Sequence, residues 1–180
     1  MSTLKVDTIL KRTGTGTITV GQSGDTVALG SGASQSGFGK VQQIVQGTSS
    51  AEGSTTSTSY VTTNLSASIT PSAATSKILI QSYIRLTPYK ASGTSASLGA
   101  TIYRDSSNIL TSTQTNTIQA SGNGSNAIGM RMLTPLIYLD SPSSTSSITY
   151  AIYVKAESGS TAYYHQSNCQ GSIILTEILA

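Results

Sequence analysis

The 180-residue chain has a net charge of +3, only 9% charged residues, one cysteine, one histidine and no tryptophan. Its ten Lys and Arg residues are scattered and form no nucleic-acid footprint. A lone cysteine excludes an intrachain disulfide framework, and no apolar run reaches the ~20 residues of a membrane helix.

About a third of the residues are Ser or Thr and 17 are Gly, while Ile, Val, Leu and Tyr recur at spacing two. That pattern predicts an all-β protein, with Ser and Thr on the outward positions of exposed strands. The first seven residues, Met1–Asp7, lack the apolar stretch of a signal peptide, so the expectation is a protein made soluble and not exported by a cleaved signal. Cys169 as a free thiol fits assembly in a cytosol.

Residues 1–30 hold a nine-residue repeat: Asp7-Thr8-Ile9, Gly16-Thr17-Ile18 and Asp25-Thr26-Val27, with glycines at 14, 16, 21, 24 and 30. Short strands in one phase separated by Gly turns describe a β-solenoid or an intertwined stalk. Three such rungs cannot cover their apolar side within one chain, and a cyclic oligomer supplies identical partners. The other reading of the same residues is a flexible Gly/Thr-rich leader. Gly30–Gly39 is a linker by composition, with Phe38 as a plug where arm meets domain. No Gly-Lys-Ser/Thr follows it, which removes a nucleotide loop.

From Lys40 onward, turn signals recur at the spacing of a sandwich or jelly roll. Strands are expected at 41–45, 59–63, 65–70, 77–86, 96–104, 108–113, 128–139, 148–156, 162–165 and 172–179. Pro71, Pro88 and Pro142 fall in the breaks, and Pro135, inside a strand, marks an edge, a bulge or a change of sheet. The stretch Ile128–Val154 reads as two alternating strands joined into a hairpin by the polar tract 140–147. The last strand is apolar on both faces, so it is expected to be central or covered by another subunit.

Groups for chemistry are scarce. His165 and Cys169 are two possible ligands where a zinc site needs three or four, so they read as a strand-end histidine and a packed thiol, and no metal or cofactor is expected. The seven acids are dispersed, with no paired run for acid–base work and no calcium-loop pattern. Asn64-Leu65-Ser66 and Asn123-Gly124-Ser125 match the glycosylation sequon without a secretory context. Tyr83, Tyr103, Tyr138, Tyr150 and Tyr153 are expected to cap the core with their hydroxyls at its rim. Tyr89 and Lys90 in a loop, and Tyr163 and Tyr164 near a strand end, are the candidates for contact with a receptor or partner.

Leu4–Ile9, Gly21–Val27 and Ser34–Gly39, with the later segments Leu65–Ser72, Ser76–Ile80, Tyr103–Asp105 and Tyr138–Pro142, resemble the tail-fibre-like and virion structural proteins of bacteriophages, marine and cyanobacterial ones especially. The resemblance runs through nearly the whole chain in order. It implies a homotrimer with a projecting C-terminal jelly roll and transfers no catalytic residue. The expected organisation is an arm or stalk over 1–39 and a jelly-roll-like antiparallel sandwich over 40–180. Leu4, Val6, Ile9, Ile18, Val27 and Phe38 are the candidates for the trimer axis or the particle contact. The expected partners are copies of the chain, other virion proteins, and a host surface glycan or protein, with neither nucleic acid nor membrane. Thirty-odd residues span at most ~120 Å, too short for a long fibre shaft. A non-enzymatic decoration or cement protein of the capsid is therefore preferred over a short tail-fibre adhesin.

Overall fold

The computed structural model describes residues 40–110, 116–157 and 159–179. The six residues proposed for the axis or particle contact, from Leu4 to Phe38, lie outside the described residues. Residues 39–180 form one compact unit.

That unit is two antiparallel sheets face to face. In the first, β1 (Val41–Ser49) lies beside β12 (Gly171–Ile178), β12 beside β4 (Lys77–Lys90), and β4 beside β9 (Met132–Asp140). Because β4 is 14 residues long, it outruns both neighbours. Its far end pairs with β11 (Thr161–Tyr164), itself flanked by β2 (Gly53–Thr55), and on the other side with β8 (Ile128–Gly129). The second sheet runs β3 (Val61–Ile69), β10 (Ile148–Ala156), β5 (Ser95–Arg104), and β5 pairs in turn with β6 (Ser107–Asn108) and β7 (Asn116–Ser121). The main pairs nest: β5 with β7, β4 with β9, β3 with β10, β1 with β12. This is a long hairpin rolled into two layers, the jelly roll that the alternation and turn spacing predict.

Alternation supplies the core. Inward positions carry Leu65 and Ile69 on β3, Ile78, Ile80, Ile84 and Leu86 on β4, Ile152 and Val154 on β10, and Ile173 and Leu175 on β12, all essentially inaccessible. The two-faced final strand is central, between β1 and β4, as one branch of its reading requires. Pro135 lies on β9, an edge strand, where a missing N–H interrupts no ladder. Pro88, placed in a break by sequence, is instead inside β4. It falls where β9 has ended at Leu86 and β8 begins only at Tyr89, so that flank has no ladder to break.

Other expectations are corrected. The expected strands 59–63 and 65–70 fall largely within one strand, β3 (Val61–Ile69), in which Asn64 has φ 62° and the register slips between Ala151 and Tyr153 of β10. Asn tolerates the left-handed region, so a bulge replaces a break. Of the described part of the expected strand 108–113, residues 108–110, Asn108 is in a strand and Ile109 and Leu110 are not, and 111–113 lie outside the described residues; β2 and β7 were not anticipated. Residues 128–139 divide at Met130–Arg131 into β8 and β9. Most consequentially, β9 and β10 are not a hairpin: β9 pairs with β4, and β10 pairs with β3 and β5 in the opposite sheet. The connection 141–147 is an arch across the ~10 Å between layers, longer than the 2–5 residues of ordinary hairpin loops.

Polar ties lock this arch. The Tyr150 hydroxyl donates to Asp140 Oδ2 at 2.7 Å, and Arg104 Nη1 reaches the same carboxylate at 3.0 and 3.2 Å. Burial, followed by the hydrogen bond to Asp140, pushes the Tyr150 phenol far up, keeping it a donor at all ordinary pH. Asp140→Ala is expected to cost about 2–4 kcal/mol, since it strands a buried hydroxyl and a half-buried guanidinium. A urea midpoint unchanged from the parent would show that these groups recover water instead.

Candidate functional site

The two outward faces differ. On the second sheet, Thr62, Asn64, Ser66 and Ser68 point to solvent, as the Ser/Thr pattern predicts. Tyr103 and Tyr153, expected to cap the core, lie outside on this sheet. Their rings stack at 4.0 Å, Tyr60 meets Tyr103 edge-on at 6.3 Å, and Lys155 Nζ stands 5.5 Å from the centre of the Tyr60 ring. The reason is parity: Tyr150, Ile152 and Val154 take the inward positions of β10, so Tyr153 must face out. Tyr150 and Tyr138 do join the core.

The outward face of the first sheet carries a large apolar part, centred on β9. Leu133, Ile137 and Leu139 of edge strand β9 are 58%, 61% and 47% exposed, and Tyr83 of β4 and Ile44 of β1 are 46% and 65% exposed. Register makes part of this contiguous: Leu79 opposes Leu139, Gln81 opposes Ile137 and Tyr83 opposes Pro135. The sequence reading assigned β9 one apolar and one more polar face. Instead Leu136, with Thr134, points in and three large aliphatic side chains point out.

At the far end of the same outward face lies a hollow of about 400 Å³, lined by Thr87, Tyr89, Gly129, Arg131, Tyr163 and Gln166 among others. Its walls follow from pairing. Tyr163 on β11 opposes Thr87 on β4 and Ser54 on β2, and Tyr89 opposes Gly129 on β8. The Tyr89 and Tyr163 rings meet edge to face, centroids 5.9 Å apart. At Gly129 a Cβ would sit 3.3 Å from Tyr89 Cδ2 and 3.5 Å from the Pro88 carbonyl oxygen, so glycine leaves this part of the wall low.

After β11 the chain turns sharply. His165 takes φ 55° and a short 3₁₀ turn, Gln166–Asn168, follows. Arg85 Nη1 holds this turn through the Gln166 carbonyl at 3.2 Å, and the Asn168 N–H donates to Glu52 Oε1 at 2.7 Å. Gln166 is thereby set between the first hollow and an adjoining one of about 260 Å³, lined by Glu52, Gly53, Ser54, Tyr163 and Gln166. Two polar atoms here have no hydrogen-bond partner: Thr87 Oγ1, on a residue only 5% exposed, and Gln166 Oε1. Buried oxygens left unpartnered in this way call for an explanation.

Of the four residues singled out by sequence, the structure brings Tyr89 and Tyr163 together. Tyr164 faces the other way, packed on the core beneath Gly53 and edge-on to His165. Lys90 pairs with Ile128, and its side chain runs beside Gly93 and Gly159 instead of lining the hollow. Thr87, Arg131, Gln166 and Glu52 were not anticipated, because no local pattern distinguishes them.

His165 is wholly buried, its Nδ1 3.2 Å from the Cys169 carbonyl oxygen, and burial pushes its pKa down, so the imidazole is neutral near pH 7. Among the described residues no three His, Cys, Asp or Glu side chains converge on a metal-sized space.

No protein-family model matches the chain, and no curated protein matches it in sequence. Among solved structures, it is similar to a chain of the T13 viral particle of infectious bursal disease virus, with 18% identity, TM-score 0.35, and coverage of 77% of this chain and 36% of that one. It is also similar to VP2 of the subviral particle of the same virus, with 16% identity, TM-score 0.35, and coverage of 78% and 38%. For the Gx strain the figures are 22%, 0.32, 78% and 39%. The chain thus spans less than two-fifths of the length of these proteins.

Proposed function

We propose that the chain is a self-associating, non-enzymatic structural protein on the exterior of a bacteriophage particle. In this reading it is a homotrimer, attached through residues 1–39 and presenting the sandwich outward. The observation that carries the reading is the uncovered apolar face of the first sheet. Large contiguous apolar patches on soluble proteins mark interfaces. Copies of the chain are the partners, because the nine-residue repeat of the arm independently calls for identical neighbours. The sequence resemblance to phage virion proteins supplies the setting, in which the aliphatic face, suited to burial against neighbouring subunits, favours a decoration or cement role on the capsid. A second position, a short tail-fibre adhesin, is favoured by the aromatic hollow at the end of the sheet.

Light scattering on the full chain at micromolar concentration is expected to give a trimer. The pair Ile137→Asp and Leu139→Asp would bury unpaired charge in the interface, at several kcal/mol each. It is expected to give monomers with an unchanged far-ultraviolet spectrum. A monomeric parent, or a trimeric double variant, removes the reading. Cryo-electron microscopy of intact particles then separates the positions: density on the shell supports the decoration role, density at the tail the adhesin.

A further inference from the structure

The two adjoining hollows have a chemistry that subunit assembly leaves unused. We infer that they form one glycan-binding groove, taking two consecutive sugar units on either side of Tyr163 and Gln166. This stands whichever position on a particle the chain occupies, since it rests on the groove alone.

Four features point to a saccharide. The first is aromatic surface: Tyr89 and Tyr163, edge to face at 5.9 Å, offer apolar ring surface against which the C–H face of a pyranose packs. The second is planar polar groups of mixed type. The Arg131 guanidinium and Gln166 amide border the first hollow, and the Glu52 carboxylate and Gln166 border the second. Sugar hydroxyls both donate and accept, so they suit a site that mixes donors and acceptors and presents no single-sign field. Third, Thr87 Oγ1 and Gln166 Oε1 are buried oxygens without a partner on side chains that line the site. A ligand hydroxyl would supply what the chain does not, once the side chain turns its buried oxygen toward the hollow. Fourth, cavities of about 400 and 260 Å³ sharing two lining residues suit two linked rings better than one larger ligand.

Placement agrees. The chain enters the sandwich at Lys40, whose carbonyl accepts from the Leu179 N–H, and Val41 pairs with Ile178 opposite the start of β4 at Lys77. The groove lies at the other end of β4, near Tyr89. At roughly 3.3 Å a residue that is about 40 Å away. The end where the chain enters and the end bearing the groove are therefore opposite ends of one strand. The apolar face lies between them, with Arg85 separating it from the hollow.

The test uses the full chain on an array of defined disaccharides and purified bacterial surface polysaccharides. Binding to a subset of these is expected. It should weaken roughly tenfold in Tyr163→Ala and in Tyr89→Ala, the loss of about one ring contact or hydrogen bond. Thr87→Val, which keeps the shape and removes the hydroxyl, is expected to weaken it similarly. Tyr103→Ala, on the opposite sheet, is the control and should bind as the parent does. Amide chemical shifts with the best disaccharide should move at residues 52–54, 87–89, 129–131 and 163–166, which locates binding even if one variant folds poorly. No sugar bound by the parent, binding unaltered in both tyrosine variants, or shift changes centred on Tyr103 and Tyr153 would each overturn the inference.

Discussion

Replacing Glu177 by Leu is expected to cost the sandwich about 3–5 kcal/mol, a large share of the 5–15 kcal/mol that stabilises a typical domain. Glu177 is wholly inaccessible on β12, and its carboxylate collects four donors. Oε1 accepts from the Ser72 N–H, the Ser72 hydroxyl and the Ser76 hydroxyl, each at 2.7 Å, and Oε2 accepts from Gln43 Nε2 at 2.6 Å. One side chain thus ties β12 to β1 and to the β3–β4 connection, and Leu would leave those donors unpaired. The same geometry predicts a pH dependence. Burial by itself raises the carboxyl, but the hydrogen bonds from Ser72, Gln43 and Ser76 outweigh it and hold it down to about 2 against an ordinary 4.5. A group whose folded-state pKa is depressed contributes stability above its unfolded value and loses it as pH falls toward the folded one. The contribution should therefore be complete above about pH 4.5 and fade between 4.5 and 2, at roughly 1.4 kcal/mol per pH unit. Urea midpoints of the parent and of Glu177→Gln measured from pH 6 to pH 2.5 isolate this residue from other carboxylates. A constant difference between the two curves across that range would contradict the network.

Gly47→Val is expected to cost at least about 3 kcal/mol, lowering the melting temperature by about 10 °C or more. Gly47 is on β1 where β1 passes directly over β3. A Cβ there would fall inside the van der Waals boundary of the Ser66 carbonyl oxygen and 3.1 Å from Ala67 Cβ. The first obstacle is backbone of a paired strand and cannot rotate away, so the sheets themselves would have to part. Thr48→Val, one residue along and facing solvent, is the control and should melt close to the parent. If Gly47→Val melted with that control, β1 and β3 would not be in contact as described.

On the proposed reading, assembly and recognition divide the first sheet between them. The half of its outward face around Leu79, Ile137 and Leu139 is aliphatic and suits copies of the chain. The half beyond Arg85 carries rings, an amide, a guanidinium and a carboxylate, and suits a hydroxylated ligand. Keeping Leu136 and Thr134 inward on β9 while Leu133, Ile137 and Leu139 face out leaves that strand apolar on its solvent side, which is the ground for the proposed self-association.

Much of the fold was legible because alternation is local. Period-two spacing of Ile, Val, Leu and Tyr located β1, β4, β5, β10, β11 and β12, and the positions 148–156 of β10 were read without error. The two-faced composition of 172–179 left that strand either central or covered by another subunit, and its pairing with β1 and β4 makes it central. Tyr89 and Tyr163 stood out because tyrosine next to loop residues is visible one residue at a time. Alternation separates two faces, but it does not say which neighbour pairs with a strand or which face meets a partner. So a seven-residue connection passed for a hairpin when it is an arch, and the outward aliphatic residues of β9 passed for part of a wall. Pairing in a rolled hairpin joins residues over a hundred positions apart, such as Gln43 with Glu177, and no window of sequence holds both. The groove has the same origin. Its residues come from 52–54, 87–89, 127–131 and 163–166, four stretches with no common pattern, and only the register of β2, β11, β4 and β8 sets them side by side.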